Sequence, residues 1–147
     1  MSIENNPAQL REIIRKLERR LGILDEKEMS CCGVTMAQCH ALVEIGRAGR
    51  ISLIELAEVL NLENSTMSRT VNNLVNSELV NRDIDPKDRR YVNISLTDNG
   101  EKIFGGIEEG MNLYYRKIYN AIPEEKREQV IESMKLLLDA FEKNLCC

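Results

Sequence analysis

A short segment with three cations, Asp85-Pro86-Lys87-Asp88-Arg89-Arg90, lies between two apolar stretches. An Asp-Pro start favours a tight turn, because proline presets the backbone angle of the second turn position and aspartate can bond its own backbone two residues on. The three cations are therefore expected to project from a turn that has no core to bury. Because guanidinium groups suit phosphates and narrow grooves, the simplest chemistry for this turn is contact with nucleic acid.

A helix predicted from about Ser65 to Glu78 precedes the turn, and its outward face is polar. Apolar residues at helical spacing form the predicted buried stripe, namely Met67, Val71, Leu74 and Val75. The other face comprises Ser65, Thr66, Ser68, Arg69, Asn72, Asn73 and Asn76. Solvated helix faces are usually rich in Glu and Lys, whereas this face offers hydrogen-bonding groups with almost no ion-pair partners. Either motif alone would fit an ordinary solvated surface, but the two in this order favour a binding function.

The elements on either side of these motifs complete a recognisable order. Capping-box spacing predicts a second helix from Thr35, ended by Gly46 to Gly49, and a short third helix from Ser52. Residues 61–64 separate the third helix from the polar helix. The alternating segments 79–84 and 91–96 predict a hairpin around the basic turn. Helix, short turn, polar helix and basic hairpin together predict a winged helix-turn-helix.

Long amphipathic helices flank this middle region. One begins near Pro7 and carries apolar residues from Leu10 to Leu24, and two more follow Thr97-Asp98 and Pro123. Their apolar stripes lie far in sequence from the compact middle. A second copy of the chain would bury them, so the sequence predicts a mainly α fold with a small β-hairpin wing and terminal dimerisation helices.

The composition agrees with this fold, and the net charge restricts how the chain could bind nucleic acid. The 147 residues suit one globular domain, and the low aromatic content of 4% with no tryptophan indicates helix packing rather than a β-sandwich. The formal net charge of −4 means that nucleic-acid binding has to rest on a local patch. Since we find neither a membrane-length apolar run nor a signal-peptide segment, we expect a cytoplasmic protein without a membrane partner.

The middle region carries several motifs together, namely Leu56-Ala57 with Leu60, Ser68-Arg69 with Leu74-Val75, the basic turn, and Ser95-Leu96-Thr97-Asp98-Asn99-Gly100. These motifs resemble the MarR family of bacterial and archaeal transcription regulators. The resemblance is close from about Thr35 to Phe104 and elsewhere is one of helix order. It implies a homodimer on a pseudo-palindromic double-stranded operator, usually a repressor released by a small effector. It also implies an N-terminal dimerisation helix and loop (1–34), a DNA-binding region (35–100) and C-terminal dimerisation helices (101–147).

The resemblance assigns site residues one by one. The recognition-helix surface would comprise Ser65, Thr66, Ser68, Arg69, Asn72 and Asn73, and the wing contacts would be Lys87, Arg89 and Arg90. Asp88 resembles the family's wing aspartate and is expected to hold an arginine in place rather than touch DNA.

Cysteines provide a separate signal. Five cysteines, two pairs of them adjacent, make a poor disulfide framework and favour reduced thiols. The candidate effector or metal residues are Cys31, Cys32, Cys39, His40, Cys146 and Cys147. If Cys31 and Cys32 lie in the loop before the second helix, their thiols could converge with Cys39 and bind a thiophilic metal or metalloid, or react with oxidants. Relatives often carry a large aromatic residue at the position of Cys39, beside the effector pocket.

The alternatives stay open at this point. The thiols could be inert, since buried cysteine often acts as a small apolar residue and the spacing matches no zinc motif. The effector could instead be a small organic ligand, or the chain could be a dimerisation adaptor that binds no DNA. An enzyme is not expected, because there is one histidine, no glycine-rich phosphate loop and no serine elbow. The adjacent Cys39 and His40 would point about 100° apart on a helix.

Overall fold

The computed structural model describes residues 5–145, without the side chains of residues 23–32. Its helices are α1 (Asn6–Cys32), α2 (Met36–Ala48), α3 (Leu53–Val59), α4 (Asn64–Asn76), α5 (Asp98–Ala121) and α6 (Arg127–Lys143), with a 3-10 turn at Glu124–Lys126. Its strands are β1 (Ile51–Ser52), β2 (Val80–Ile84) and β3 (Val92–Leu96). The mainly helical winged helix-turn-helix predicted from the sequence is therefore confirmed.

Local capping explains where the short helices begin. The Thr35 hydroxyl accepts from the Gln38 backbone N–H at 3.2 Å, and the Gln38 side chain accepts from the Thr35 N–H at 2.9 Å. Ser52 caps α3 by accepting from the Glu55 N–H at 3.1 Å. Helix α2 continues to Ala48, and Gly49 closes it with φ of 76°, within the predicted range Gly46 to Gly49.

The three strands form an antiparallel sheet with β3 in the centre, in the order β1-β3-β2. In the hairpin, Val80 pairs with Leu96 and Ile84 with Val92, and on the other edge Ile51 pairs with Ile94. The sequence did not predict β1. A strand of two residues is too short to show an alternating pattern, and only its pairing with β3 defines it.

A small apolar core joins α2, α3, α4 and the sheet. Its fully buried large side chains are Leu42, Ile45, Leu56, Met67, Val71, Leu74 and Ile94. Thr70 is also buried, which the predicted stripe omitted, and its hydroxyl donates to the Thr66 carbonyl at 3.2 Å. The core thus fixes α4 by one side and leaves the opposite side outward.

The start of α5 is attached tightly to the base of the wing. Thr97 donates its hydroxyl to the Glu78 carbonyl at 2.7 Å and accepts from the Gly100 N–H at 3.0 Å. A Cβ at Gly100 would lie 2.0 Å from the Leu79 carbonyl oxygen, so only glycine fits there. This packing orders the chain immediately after β3.

The described chain divides into two compact units, one ending at Glu108 and the other beginning at Glu109. The first unit includes the start of α5, where Gly100 and Ile107 are buried. In the second unit no described residue is buried. There the Arg127 guanidinium donates to the carbonyls of Tyr119, Asn120 and Ile122 and lies 5.3 Å from the Tyr119 ring centroid.

Among the described residues, no helix combines the length and the apolar character needed to cross a membrane.

Candidate nucleic-acid interface

Helix α4 presents the predicted recognition surface to solvent. Arg69, Asn72 and Asn73 are exposed, as is Ser65, while Thr66 and Ser68 are partly covered. Arg69 is the only charged residue of this helix, whose sequence NSTMSRTVNNLVN contains no acid. An α-helix of about 10–12 Å diameter fits a DNA major groove about 12 Å wide, and no carboxylate on α4 would repel phosphates there.

The wing hairpin extends beyond the core. Only Val80 of β2 is buried, and Ile84 near the tip is 63% exposed. The chain closes the turn with two backbone hydrogen bonds, from the Asp85 N–H to the Tyr91 carbonyl at 2.9 Å and from the Tyr91 N–H to the Asp88 carbonyl at 3.0 Å. The tip is therefore an ordered loop that projects side chains away from the core.

Asp85 organises the first half of this turn. Its Oδ1 accepts from the Lys87 N–H at 2.8 Å and from the Asp88 N–H at 3.4 Å, which is the Asx-type contact expected of an Asp-Pro turn. Its Oδ2 accepts from the Asn93 side chain at 3.2 Å. The Lys87 N–H and the Asn93 amide, with a smaller contribution from the Arg50 charge, lower the pKa of Asp85 from its ordinary value of 3.8.

Asp88 holds the second half of the turn through Arg90. The guanidinium meets the carboxylate with two hydrogen bonds, Nε to Oδ1 at 3.0 Å and Nη2 to Oδ2 at 2.9 Å. The Arg90 backbone N–H also donates to Oδ1 at 3.1 Å. The Arg90 side chain lowers the pKa of Asp88, and the carboxylate in turn raises the pKa of Arg90. Within the described residues, Lys87 and Arg89 are exposed and form no ion pair.

The sequence did not predict that two further cations, Arg82 and Arg50, lie near the recognition helix and the wing turn. Arg82 on β2 donates a hydrogen bond to the side-chain oxygen of Asn72 on α4, and Arg50 lies near the Asp85 carboxylate. Alternation along β2 places Arg82 on the same face as Val80, and this signal was available in the sequence. The contact itself depends on how the hairpin docks on α4.

Of the predicted cysteine and histidine cluster, the structure describes the side chains of Cys39 and His40. Cys39 is buried in α2, whereas the adjacent His40 is exposed. Cys31 and Cys32 do not lie in a loop, because α1 continues through Cys32 and leaves only residues 33–35 before α2. Their side chains, and both Cys146 and Cys147, lie outside the described residues. Among described side chains, no group of three potential metal ligands comes together.

Comparison with known proteins agrees with this architecture. The model of the MarR family matches residues 34–92. The transcriptional repressor MdtR of Bacillus subtilis is 28% identical over 75% of this chain and 71% of its own. FabT of Streptococcus pneumoniae, solved with DNA, has 19% identity and a TM-score of 0.83, covering 92% of this chain and 97% of its own.

A mutant of E. coli MarR solved with operator DNA has 24% identity and a TM-score of 0.76, covering 94% of this chain and 99% of its own. These two structures share the fold of the chain, including the helix and the wing described above. The family match over residues 34–92 and the sequence similarity to MdtR assign the winged helix-turn-helix region of the chain to the MarR family of transcriptional regulators.

Proposed function

We propose that the chain is a dimeric, sequence-specific DNA-binding repressor in which α4 enters the major groove and the wing contacts the neighbouring backbone. The observation that carries the proposal is the outward face of α4, rich in hydroxyl and amide groups and free of carboxylates, together with the ordered cationic turn of the wing. The relative MdtR is a repressor, and FabT and E. coli MarR have been solved on DNA. A regulator of this kind would act in the cytoplasm, where its DNA is.

The two surfaces would have different tasks. Amide groups such as Asn72 and Asn73 can bond base edges, whereas the guanidinium of Arg69 can bond either a base or a phosphate. Lys87 and Arg89 on the turn have no acidic partner among the described side chains, so their charge is available to phosphates. Arg90 is held by Asp88 and could still reach DNA, because its side chain is 87% exposed.

Dimerisation is proposed from the apolar surface of the second unit. Its exposed large apolar residues include Leu113, Tyr114, Ile118, Ile131, Met134, Leu138 and Phe141. Exposed apolar surface of this extent marks an interaction site in soluble proteins. Half-sites one helical turn apart require recognition helices about 34 Å apart, which one chain with a single α4 cannot provide. A second copy would meet both requirements.

The effector stays a prediction. A thiophilic metal, a metalloid or an oxidant acting on Cys31, Cys32 and Cys39 is one candidate, and a small organic ligand is the other. Changing these three cysteines to serine should abolish release from DNA by arsenite, cadmium, zinc or peroxide and leave DNA binding intact. If none of these agents releases the unmodified protein, the thiol hypothesis is wrong.

The test of DNA binding is selection from a random duplex pool, followed by titration of the selected site at several salt concentrations. We expect a pseudo-palindromic site and a log-log salt slope well below zero, because each neutralised phosphate contributes about −0.9 to the slope. Charge reversal at Arg89 (Arg89→Glu) should weaken binding to all sequences and reduce the slope by about 1 or more.

Lys102→Glu is the matched control, since Lys102 is an exposed cation of α5 outside the wing and the charge change is the same. A dimerisation adaptor would bind no selected duplex and would tolerate both substitutions. A slope near zero, or equal effects of the two variants, would contradict the proposal.

A further inference from the structure

The contact between Arg82 and Asn72 joins the two surfaces proposed to bind DNA. Arg82 lies on the wing strand β2 and Asn72 on the outward face of α4, and the guanidinium donates to Asn72 Oδ1. Both residues are exposed, so the contact lies at the surface and is not part of the core. Among the described residues Arg82 forms no ion pair, and its charge is not neutralised by a carboxylate.

Sheet geometry explains why Arg82 reaches the helix. Arg82 pairs directly with Ile94 of β3, and residues opposite each other in an antiparallel pair project from the same face. Ile94 is fully buried, which means that this face of the sheet packs on the helices. Arg82 follows the buried Val80 by two residues and is therefore the next residue on that face, at the margin of the core beside α4.

This contact fixes the orientation of the Asn72 amide. A guanidinium has only donors, so the oxygen of the amide has to face it, and a flipped amide would bring donors together. The Asn72 NH₂ group is thereby directed away from Arg82. An asparagine that pairs with adenine in the bidentate mode uses its oxygen for N6 and its NH₂ for N7. With the oxygen engaged by Arg82, Asn72 is set to act as a donor.

We propose that Arg82 is a specificity-determining residue that positions Asn72 to donate to an acceptor edge, namely guanine O6 and N7 or thymine O4. The proposal rests on the proposed function, because it assumes that α4 lies in the major groove. It adds that the wing strand affects base selection through the helix, in addition to any contact that the wing makes with phosphates.

The experiment is a double-mutant cycle on the operator obtained by selection. Asn72→Ala, Arg82→Ala and the double variant are titrated against that operator and against duplexes substituted at each base pair. We expect each single change to weaken binding about tenfold or more and to remove discrimination at the same base pair. The double variant should be no weaker than the single variants by more than about twofold.

Three further variants separate orientation from charge. Arg82→Lys retains the charge but not the planar fork, so it should lose discrimination at that base pair with a smaller loss of overall affinity. Asn72→Asp retains an acceptor for Arg82 but has no donor, so it should bind as poorly as Asn72→Ala or worse. Arg47→Ala is the matched control, because Arg47 is an exposed arginine paired with Glu108 on α5.

The outcomes distinguish the two proposals. If Arg82→Ala weakens all duplexes equally and its effect multiplies with that of Asn72→Ala, Arg82 is an independent phosphate contact and the inference is overturned. If Arg82→Ala behaves like Arg47→Ala, the inference is also overturned, while DNA binding itself stands. If the unmodified protein selects no duplex, the proposed function fails and the inference fails with it.

Discussion

Helices α4 and α6 are both amphipathic, but a single chain covers the apolar side of only one of them. In α4, Met67, Val71 and Leu74 have no exposed surface, and the polar side faces outward. In α6 no residue is buried, and Leu138 and Phe141 are 60% and 52% exposed. The same amphipathic spacing of apolar residues is therefore buried in α4 and exposed in α6.

This difference in burial indicates which surface each helix needs to cover its apolar side. The apolar side of α4 has its partners in α2, α3 and the sheet of the same unit, so its outward face is free for recognition. The apolar side of α6 is left exposed by its own unit. A further apolar surface is therefore needed to bury it. We interpret α4 as a reading element and α6 as an assembly element. The following predictions test this division, from the largest expected effect to the smallest.

A charge on the apolar side of α6 should abolish assembly and, with it, operator binding. Phe141→Glu would place a carboxylate in the proposed dimer contact, where it could not be solvated. We expect a monomer in sedimentation, and an operator affinity lower by about 100-fold or more, because linkage of two half-site contacts is lost. Gln129→Glu introduces the same charge at an exposed polar position of α6 and should change neither quantity. A dimeric Phe141→Glu protein would contradict the assignment of α6.

Truncating a leucine should have an effect that is independent of protein concentration in α4 and dependent on it in α6. Leu74→Ala removes a fully buried side chain and should lower the free energy of unfolding by about 2–5 kcal/mol at any protein concentration. Leu138→Ala should destabilise by an amount that grows as the protein is concentrated, since its side chain would be buried only in the dimer. Urea unfolding over a range of protein concentrations measures both. A large effect of Leu138→Ala that does not vary with concentration would contradict the division.

The second unit should depend on polar contacts more than the first, because none of its described residues is buried. Arg127 donates to three carbonyls at the end of α5 and its turn, and contacts the Tyr119 ring. Arg127→Ala should therefore lower stability by about 1–2 kcal/mol and speed amide exchange around residues 119–127. Arg116→Ala, at an exposed arginine of α5, is the control and should have an effect below about 0.5 kcal/mol. Equal effects would show that the Arg127 contacts are not stabilising.

The wing should loosen only in strong acid. The pKa values of Asp85 and Asp88 are lowered below 3.8 in the folded chain, so their stabilising contribution is present above that value and is lost as pH falls through the folded pKa. The amide proton of Lys87 donates to Asp85 and reports this titration by NMR. We expect a midpoint below 3.8 and no wing transition between pH 5 and 8. Asp85→Asn should remove the midpoint, and a midpoint at or above 3.8 would contradict the assigned hydrogen bonds.

Much of the proposed interface could be predicted from local sequence. The Asp85 turn, the Thr35 capping box and the periodic stripe of α4 each depend on residues within a few positions of one another, where backbone geometry leaves few alternatives. Grouping the hydroxyl and amide residues of α4 on one face followed from the same periodicity. The DNA contacts of these residues stay predictions.

Contacts between distant segments could not be predicted in this way. The strand β1 exists because Ile51 pairs with Ile94, and Arg82 reaches Asn72 only after the hairpin register is set. The loop expected around Cys31 and Cys32 was wrong because α1 continues to Cys32, and nothing in the local sequence required it to end earlier.

The sequence by itself determined the order of the helices, the wing hairpin and the cationic turn, since all of these follow from short-range sterics and hydrophobic spacing. Only the tertiary structure decided which amphipathic helix is covered within one chain and which apolar surface is left over. It also decided that an arginine of the wing strand orients an amide of α4. The physical reason is that burial, and side-chain hydrogen bonds between elements, depend on how the elements pack. The same hydrophobic pattern is compatible with many packing arrangements, and each would bury and pair different side chains.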